Sequence, residues 1–225
     1  MELSVLVLLL VVPVSLAQED LEGKVFVFPK ETNTSHVILR PTITRPLQKV
    51  SVCLRTYSEL SRPYSLFSMA TRRNPDAFHI YFEPPYTYKL FINNATAVFT
   101  ATWEPFYWRH ICVTWDSIHR GVYLWLNGKL SFQRPPKTQY HRNAYYIDSE
   151  SSIVLGQDKD SYGGGFNASQ SLVGEISDVH IWDYALTPED IQKVISGDLH
   201  GNVINWKSLS YEVKGDVHVK PAPQQ

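Results

Sequence analysis

Short runs in which apolar and polar residues alternate, cut apart by Gly, Pro, Asn and Asp, fill most of this 225-residue chain. They are "KVFVFP", "SVCLRTYS", "YSLFSMA", "FHIYFE", "YKLFIN", "AVFTATW", "RHICVTW", "GVYLWLNGKL", "SIVLGQ", "SLVGEISDVHIWD" and "YEVKGDVHV". Successive side chains on a strand point to opposite faces, so each run reads as a strand with a buried side. Within "GVYLWLNGKLSF", Asn127-Gly128 has the chemistry of a two-residue hairpin turn. Helices do not recur between the strands, which argues against a parallel sheet. Two antiparallel sheets packed face to face are the expected architecture. The 13 Tyr, 10 Phe and 6 Trp favour the same class.

One segment departs from the pattern. "LTPEDIQKVISG" places Thr187 as N-cap, Pro188 at the first helical position and Asp190 three residues after the cap. Ile191, Val194 and Ile195 make an apolar stripe, and Gly197 supplies the stop. A single short α-helix packed on the sandwich is expected.

The opening "MELSVLVLLLVVPVSLAQ" reads as a secretory signal, with Ser15 and Ala17 small at the cleavage site. Residues 1–17 are therefore expected to leave, and 18–225 to fold as one extracellular domain with no membrane insertion. Lys and Arg number 21 and Asp and Glu 22, so loss of Glu2 with the leader makes the remainder neutral. Such a balance gives no attraction to nucleic acid. Cys53 and Cys112 are expected to pair in an oxidising compartment, two separate buried thiols being the alternative. Sequons stand at Asn33, Asn94 and Asn167.

Enzymatic readings find little support. There is no G-x-S-x-G or H-E-x-x-H, and "GGGF" lacks phosphate-loop spacing. Glu175 and Asp178 resemble a glycosidase pair, but strict alternation would put residues three apart on opposite faces. The eight histidines show no metal-ligand spacing, and alternation puts His110 beside Cys112 and Thr114. "WEPFYW" could make an aromatic ledge or ordinary packing. "GQDKDSYGG" is more informative. As an EF-hand it fails, because position 12 counted from Asp158 is Ser169 where a bidentate Glu is needed. Asp158, the Lys159 carbonyl and Asp160 can still present oxygens from one loop. Gly163–Gly165 would then fold the chain back to bring Asn167 and Gln170 to the same place. A solvated acidic turn and a calcium site both remain open readings.

"HICVTWDS", residues 110–117, resembles the pentraxin signature H-x-C-x-[ST]-W-x-[ST] at every specified position. The similarity runs from "DLEGKVFVFP" through "LSRPYSLFS", "LGQDKDSYGGGF" and "SQSLVGEISDVHIWD" to "INWKSLSYEVKG". The resemblance implies an all-β, two-sheet antiparallel jelly-roll with one helix on one sheet and a Cys53–Cys112 disulfide. It also implies a homopentamer whose subunits each hold two Ca2+ ions on one ring face. Phosphate-bearing or carbohydrate ligands would complete the calcium coordination there, and the other face would meet complement C1q and Fc receptors.

Carried over residue by residue, the family's calcium ligands fall on Asp76, Asp158, Lys159, Asp160, Gln170 and Asn167. Lys159 would serve through its carbonyl. Pro75 stands where the family has an acid, and Asn74 lies beside it. The resemblance places the apolar wall for a choline methyl group at Tyr81 and the choline-facing acid near Thr96, which leaves phosphocholine preference open. A laminin-G-like adhesive sandwich with little calcium binding is the alternative function, and a glycosidase a third.

Overall fold

The computed structural model describes residues 20–93, 95–101, 107–119, 121–131 and 146–223. The expected signal, the Asn94 sequon and most of "WEPFYW" lie outside the described residues. The first sheet runs β10 (Lys129–Leu130), β9 (Gly121–Leu126), β8 (Arg109–Asp116), β3 (Lys49–Tyr57), β12 (Gly174–Trp182), β1 (Lys24–Phe28) and β14 (His218–Pro221). The second runs β13 (Tyr211–Lys214), β2 (His36–Leu39), β11 (Ser151–Leu155), β4 (Tyr64–Thr71), β5 (Phe78–Glu83), β6 (Thr87–Ile92) and β7 (Ala95–Thr100). All these neighbours pair antiparallel, and the sandwich is the expected jelly-roll. No helix among the described residues is long and apolar enough to cross a membrane.

The core lies between the sheets and follows the alternation. Val50, Val52 and Leu54 of β3 face Ile111, Val113 and Trp115 of β8 within one cluster, with Phe67, Phe78, Ile80 and Phe82 opposite. Asn127 and Gly128 both have positive φ, 46° and 77°, as the tight hairpin between β9 and β10 requires.

Two strands are buried along their full length, and the reason is different cover on their outer faces. Outside β8, the helix α1 (Pro188–Ser196) lies over the disulfide Cys53–Cys112 with Trp182, Leu186, Ile191 and Val194. Thr187 and Asp190 form a reciprocal capping box, and Gly197 closes the helix at φ 81°. Outside β4, the loop 156–170 takes the helix's place. Ser65 Oγ donates to the Gln157 carbonyl at 2.9 Å, and the Lys159 N–H donates to Ser68 Oγ at 3.2 Å.

Three sequence expectations change. "HVIL" forms β2, too short a run to stand out between "TNTS" and "RP". "YEVKGDVHV" is two strands, because Gly215 at φ 68° turns the chain from the second sheet to the first. The parity that separates Glu175 from Asp178 also fails. Asp178 sits at φ 50° in a bulge, so Ile176, Val179 and Ile181 all enter the core. The two acids nevertheless serve different partners: Glu175 pairs with Lys220 and Asp178 with Arg55.

Candidate metal centre

The site lies on the outer face of the second sheet, where β4, β5 and the loop 156–170 meet. Asp76 is set in the β4–β5 turn by Asn74, whose Oδ1 accepts the Asp76 N–H at 2.9 Å. That bond occupies the side-chain oxygen of Asn74, the neighbour of Pro75, which is exposed. Asp158 follows the end of β11, and its side chain is only 13% exposed.

Ser161 and Gly164 exchange two backbone hydrogen bonds, which folds the loop back on itself. Gly165 has φ 85°, and a β-carbon there would lie 2.8 Å from the Asp160 Cβ, so glycine is required for this approach. Asn167 then caps the 3-10 turn Ala168–Gln170, accepting from Ser169 N and Oγ at 3.1 and 3.0 Å. The turn delivers Gln170, whose Nε2 donates to Asp158 Oδ2 at 2.8 Å.

Of the expected ligands, Asp76, Asp158, Asp160 and Gln170 come together. Asn167 positions the turn with its side-chain oxygen. Lys159 is buried, and its Nζ donates to Ser152 Oγ at 2.8 Å. Tyr81 borders the site, with its hydroxyl beside Gln170.

One residue escaped the sequence reading. His79 is 2% exposed and presents Nδ1 to Asp158 Oδ1 at 3.5 Å and to Asp76 Oδ1 at 3.9 Å. The signal was available, since in "FHIYFE" His79 and Tyr81 are two apart and must share a face. Phe91 stacks on its ring at 5.3 Å and Tyr81 meets it edge-on at 5.4 Å.

The electrostatics favour a cation. Among the described residues no Lys or Arg forms an ion pair with Asp76, Asp158 or Asp160. Burial, then Asp76 and Asp160, push the Asp158 carboxyl up to about 7. Burial and then Asp160 raise Asp76 as well. Burial holds His79 down at about 3, so the imidazole is neutral and offers no compensating charge. Carboxylates from two loops, gathered without a counter-ion, suit a divalent cation.

A second concavity lies on the opposite side of the sandwich, beside α1. It encloses about 270 Å³ and is lined by Arg55, His110, Asp178, His180 and His200 among others. His110 faces the same side as Cys112, as alternation requires, and is buried.

The Pentaxin family profile matches residues 24–221. The chain belongs to the pentraxin family. C-reactive protein of Xenopus laevis is 47% identical over 215 residues, spanning 93% of this chain and 88% of its own. Serum amyloid P-component of Mus musculus is 42% identical over 205 residues, spanning 91% of this chain and 89% of its own. A heptameric SAP-like pentraxin from Limulus polyphemus superposes with a TM-score of 0.77 at 26% identity, covering 90% of this chain and 97% of that one. The family identifies the chain as a non-enzymatic recognition protein of innate immunity, and the pentraxin disulfide is present between Cys53 and Cys112. The glycosidase reading is thereby set aside.

Proposed function

We propose that this pentraxin is a secreted, calcium-dependent recognition protein. Calcium held by Asp76, Asp158, Asp160 and Gln170, with the Lys159 carbonyl, captures phosphocholine, phosphoethanolamine or saccharide ligands through their oxygens. The observation that carries this reading is the gathering of three carboxylates with no cationic partner among the described residues. Two ions would bring four positive charges to three negative ones. The second ion therefore binds weakly until an anionic ligand arrives, and the net positive site attracts phosphate. Tyr81 supplies a partly apolar wall beside the metal.

The heptameric relative supports a closed ring of identical subunits, for which five is the family expectation. In such a ring the metal loop and the concavity beside α1 lie on opposite faces of each subunit. The former suits ligand capture, and the latter suits protein partners such as complement C1q and Fc receptors. Exposed sequon residues Asn33 and Asn167 fit an exported glycoprotein.

Replacing Asp160 by Asn tests the reading, because it removes a charge while preserving shape. Calorimetric calcium titration and phosphoethanolamine binding should both weaken by tenfold or more, by roughly 1.4 kcal/mol. Equal binding by both proteins would leave the loop a solvated turn and favour the adhesive-sandwich alternative.

A further inference from the structure

The calcium reading leaves one feature of the site unexplained, the buried nitrogen among its carboxylates. The hydrogen bonds around His79 fix which nitrogen carries the proton. Ser65 Oγ lies 2.9 Å from the Gln157 carbonyl oxygen, which can only accept, so the single Ser65 hydroxyl proton is committed there. Ser65 Oγ also lies 3.0 Å from His79 Nε2 and must therefore accept from it. Nε2 is the protonated nitrogen of the neutral ring, and Nδ1 bears a lone pair. That lone pair faces Asp158 Oδ1 and Asp76 Oδ1, which in their ionised form are also acceptors. Three acceptors converge, and among the described residues no donor is bonded to Nδ1.

We infer that His79 Nδ1, Asp158 and Asp76 form a mixed nitrogen–oxygen chelate for a transition dication, with zinc as the fitting ion. Calcium takes oxygen ligands, whereas zinc is bound by imidazole nitrogen together with carboxylate oxygen. The three ligand atoms lie within 4.8 Å of one another. Zinc–ligand bonds of roughly 2.0–2.1 Å place the ligand atoms of a tetrahedral site about 3.4 Å apart. The His79–Asp158 spacing of 3.5 Å already matches this value. Asp76 is 3.9 Å away, but its side chain is 41% exposed and free to close the difference.

The imidazole is held as metal-ligating histidines are held, with its other nitrogen donating to a fixed acceptor. Phe91 and Tyr81 restrict the ring from two sides. Two carboxylates and a neutral imidazole also balance a dication's charge. The inference rests on the same loop as the calcium reading, because Asp158 belongs to both sets. Zinc and calcium should then compete, and zinc supply would set how much of the protein is available for calcium-dependent capture.

The test uses the whole mature protein, stripped with chelator and titrated calorimetrically with Zn2+ and separately with Ca2+. Wild type should bind one zinc per subunit at this site. His79→Leu should weaken that zinc at least 100-fold while retaining calcium binding within a few-fold. Asp160→Asn should show the reverse pattern. The surface histidines His119, paired with Asp116, and His218, paired with Asp216, survive in the variants, so zinc held there is not lost. Should His79→Leu fail to fold, zinc K-edge absorption on wild type decides, with one imidazole and oxygen ligands expected. Unchanged zinc binding in His79→Leu, or a zinc shell without imidazole, overturns the inference and leaves the calcium reading standing. Zinc binding lost with His79 in a protein that takes no calcium would sink the calcium reading alone.

Discussion

Gln170 Nε2 donates to Asp158 Oδ2 across 2.8 Å, joining the returning end of the loop to its acidic start. This side-chain bond adds to the backbone bond from the Leu172 N–H to the Gly156 carbonyl at 3.0 Å. Its replacement separates metal binding from loop stability. Gln170→Glu removes the donor and adds a carboxylate, so in chelator the loop should loosen and become more sensitive to protease. With calcium, the added charge should raise affinity. Limited proteolysis with and without calcium, paired with calorimetry, reads both effects. A protein more resistant to protease in chelator would contradict the role assigned to Gln170.

The disulfide joins residues that face each other in the register of β3 and β8, with a sequence separation of 59. Such a loop contributes roughly 4 kcal/mol in the chain-entropy model. Replacing both cysteines by Ala should lower the unfolding free energy by about 2–5 kcal/mol, measured by guanidinium titration. Calcium affinity should hardly change, because the metal loop lies on the other sheet.

Thr187 Oγ1 accepts from the Asp190 N–H at 3.2 Å, and the Thr187 N–H donates in return to the Asp190 carboxylate at 3.0 Å. Thr187→Ala should cost about 1 kcal/mol. The cap anchors the helix that covers Cys53 and Cys112, so the loss should appear as faster amide exchange in α1 before global unfolding.

His180 accepts backbone N–H groups of Gly201 and Trp206 at 3.3 and 3.4 Å, and burial followed by repulsion from His200 and His110 holds it down at about 3. Burial and then Arg55 hold His110 at about 4. Both rings stay neutral in the fold, whereas the unfolded chain protonates near pH 6.5. The unfolded state thus binds more protons between about pH 6.5 and 3, and stability falls as pH drops through that window. Each ring contributes up to about 1.4 kcal/mol per pH unit. His180→Asn retains an acceptor for the two N–H groups and should flatten this acid limb in urea titrations from pH 7 to 4. An unchanged slope would place the acid sensitivity elsewhere.

Much of this protein is written locally. Most strands, the Asn127-Gly128 turn and both ends of α1 are legible because each depends on neighbours within a few residues. The loop carrying Asp158 and Asp160 was legible for the same reason, since two acids and three glycines must make a charged, tightly folded turn. The remaining features needed the third dimension. "YEVKGDVHV" reads as one strand until Gly215 sends its halves to opposite sheets, and Glu175 and Asp178 read as opposed until a bulge shifts the alternation. His79 is one histidine in an alternating run, and nothing near it in the chain reveals that a serine from β4 sets its tautomer. Asp158 stands 79 positions away, and only the pairing of β11, β4 and β5 brings it to the ring. Propensity acts over the few residues that share backbone hydrogen bonds, whereas a lone pair meets carboxylates wherever packing puts them. The sequence by itself therefore determined the elements and the acidic loop, and the tertiary structure decided that a buried nitrogen faces it.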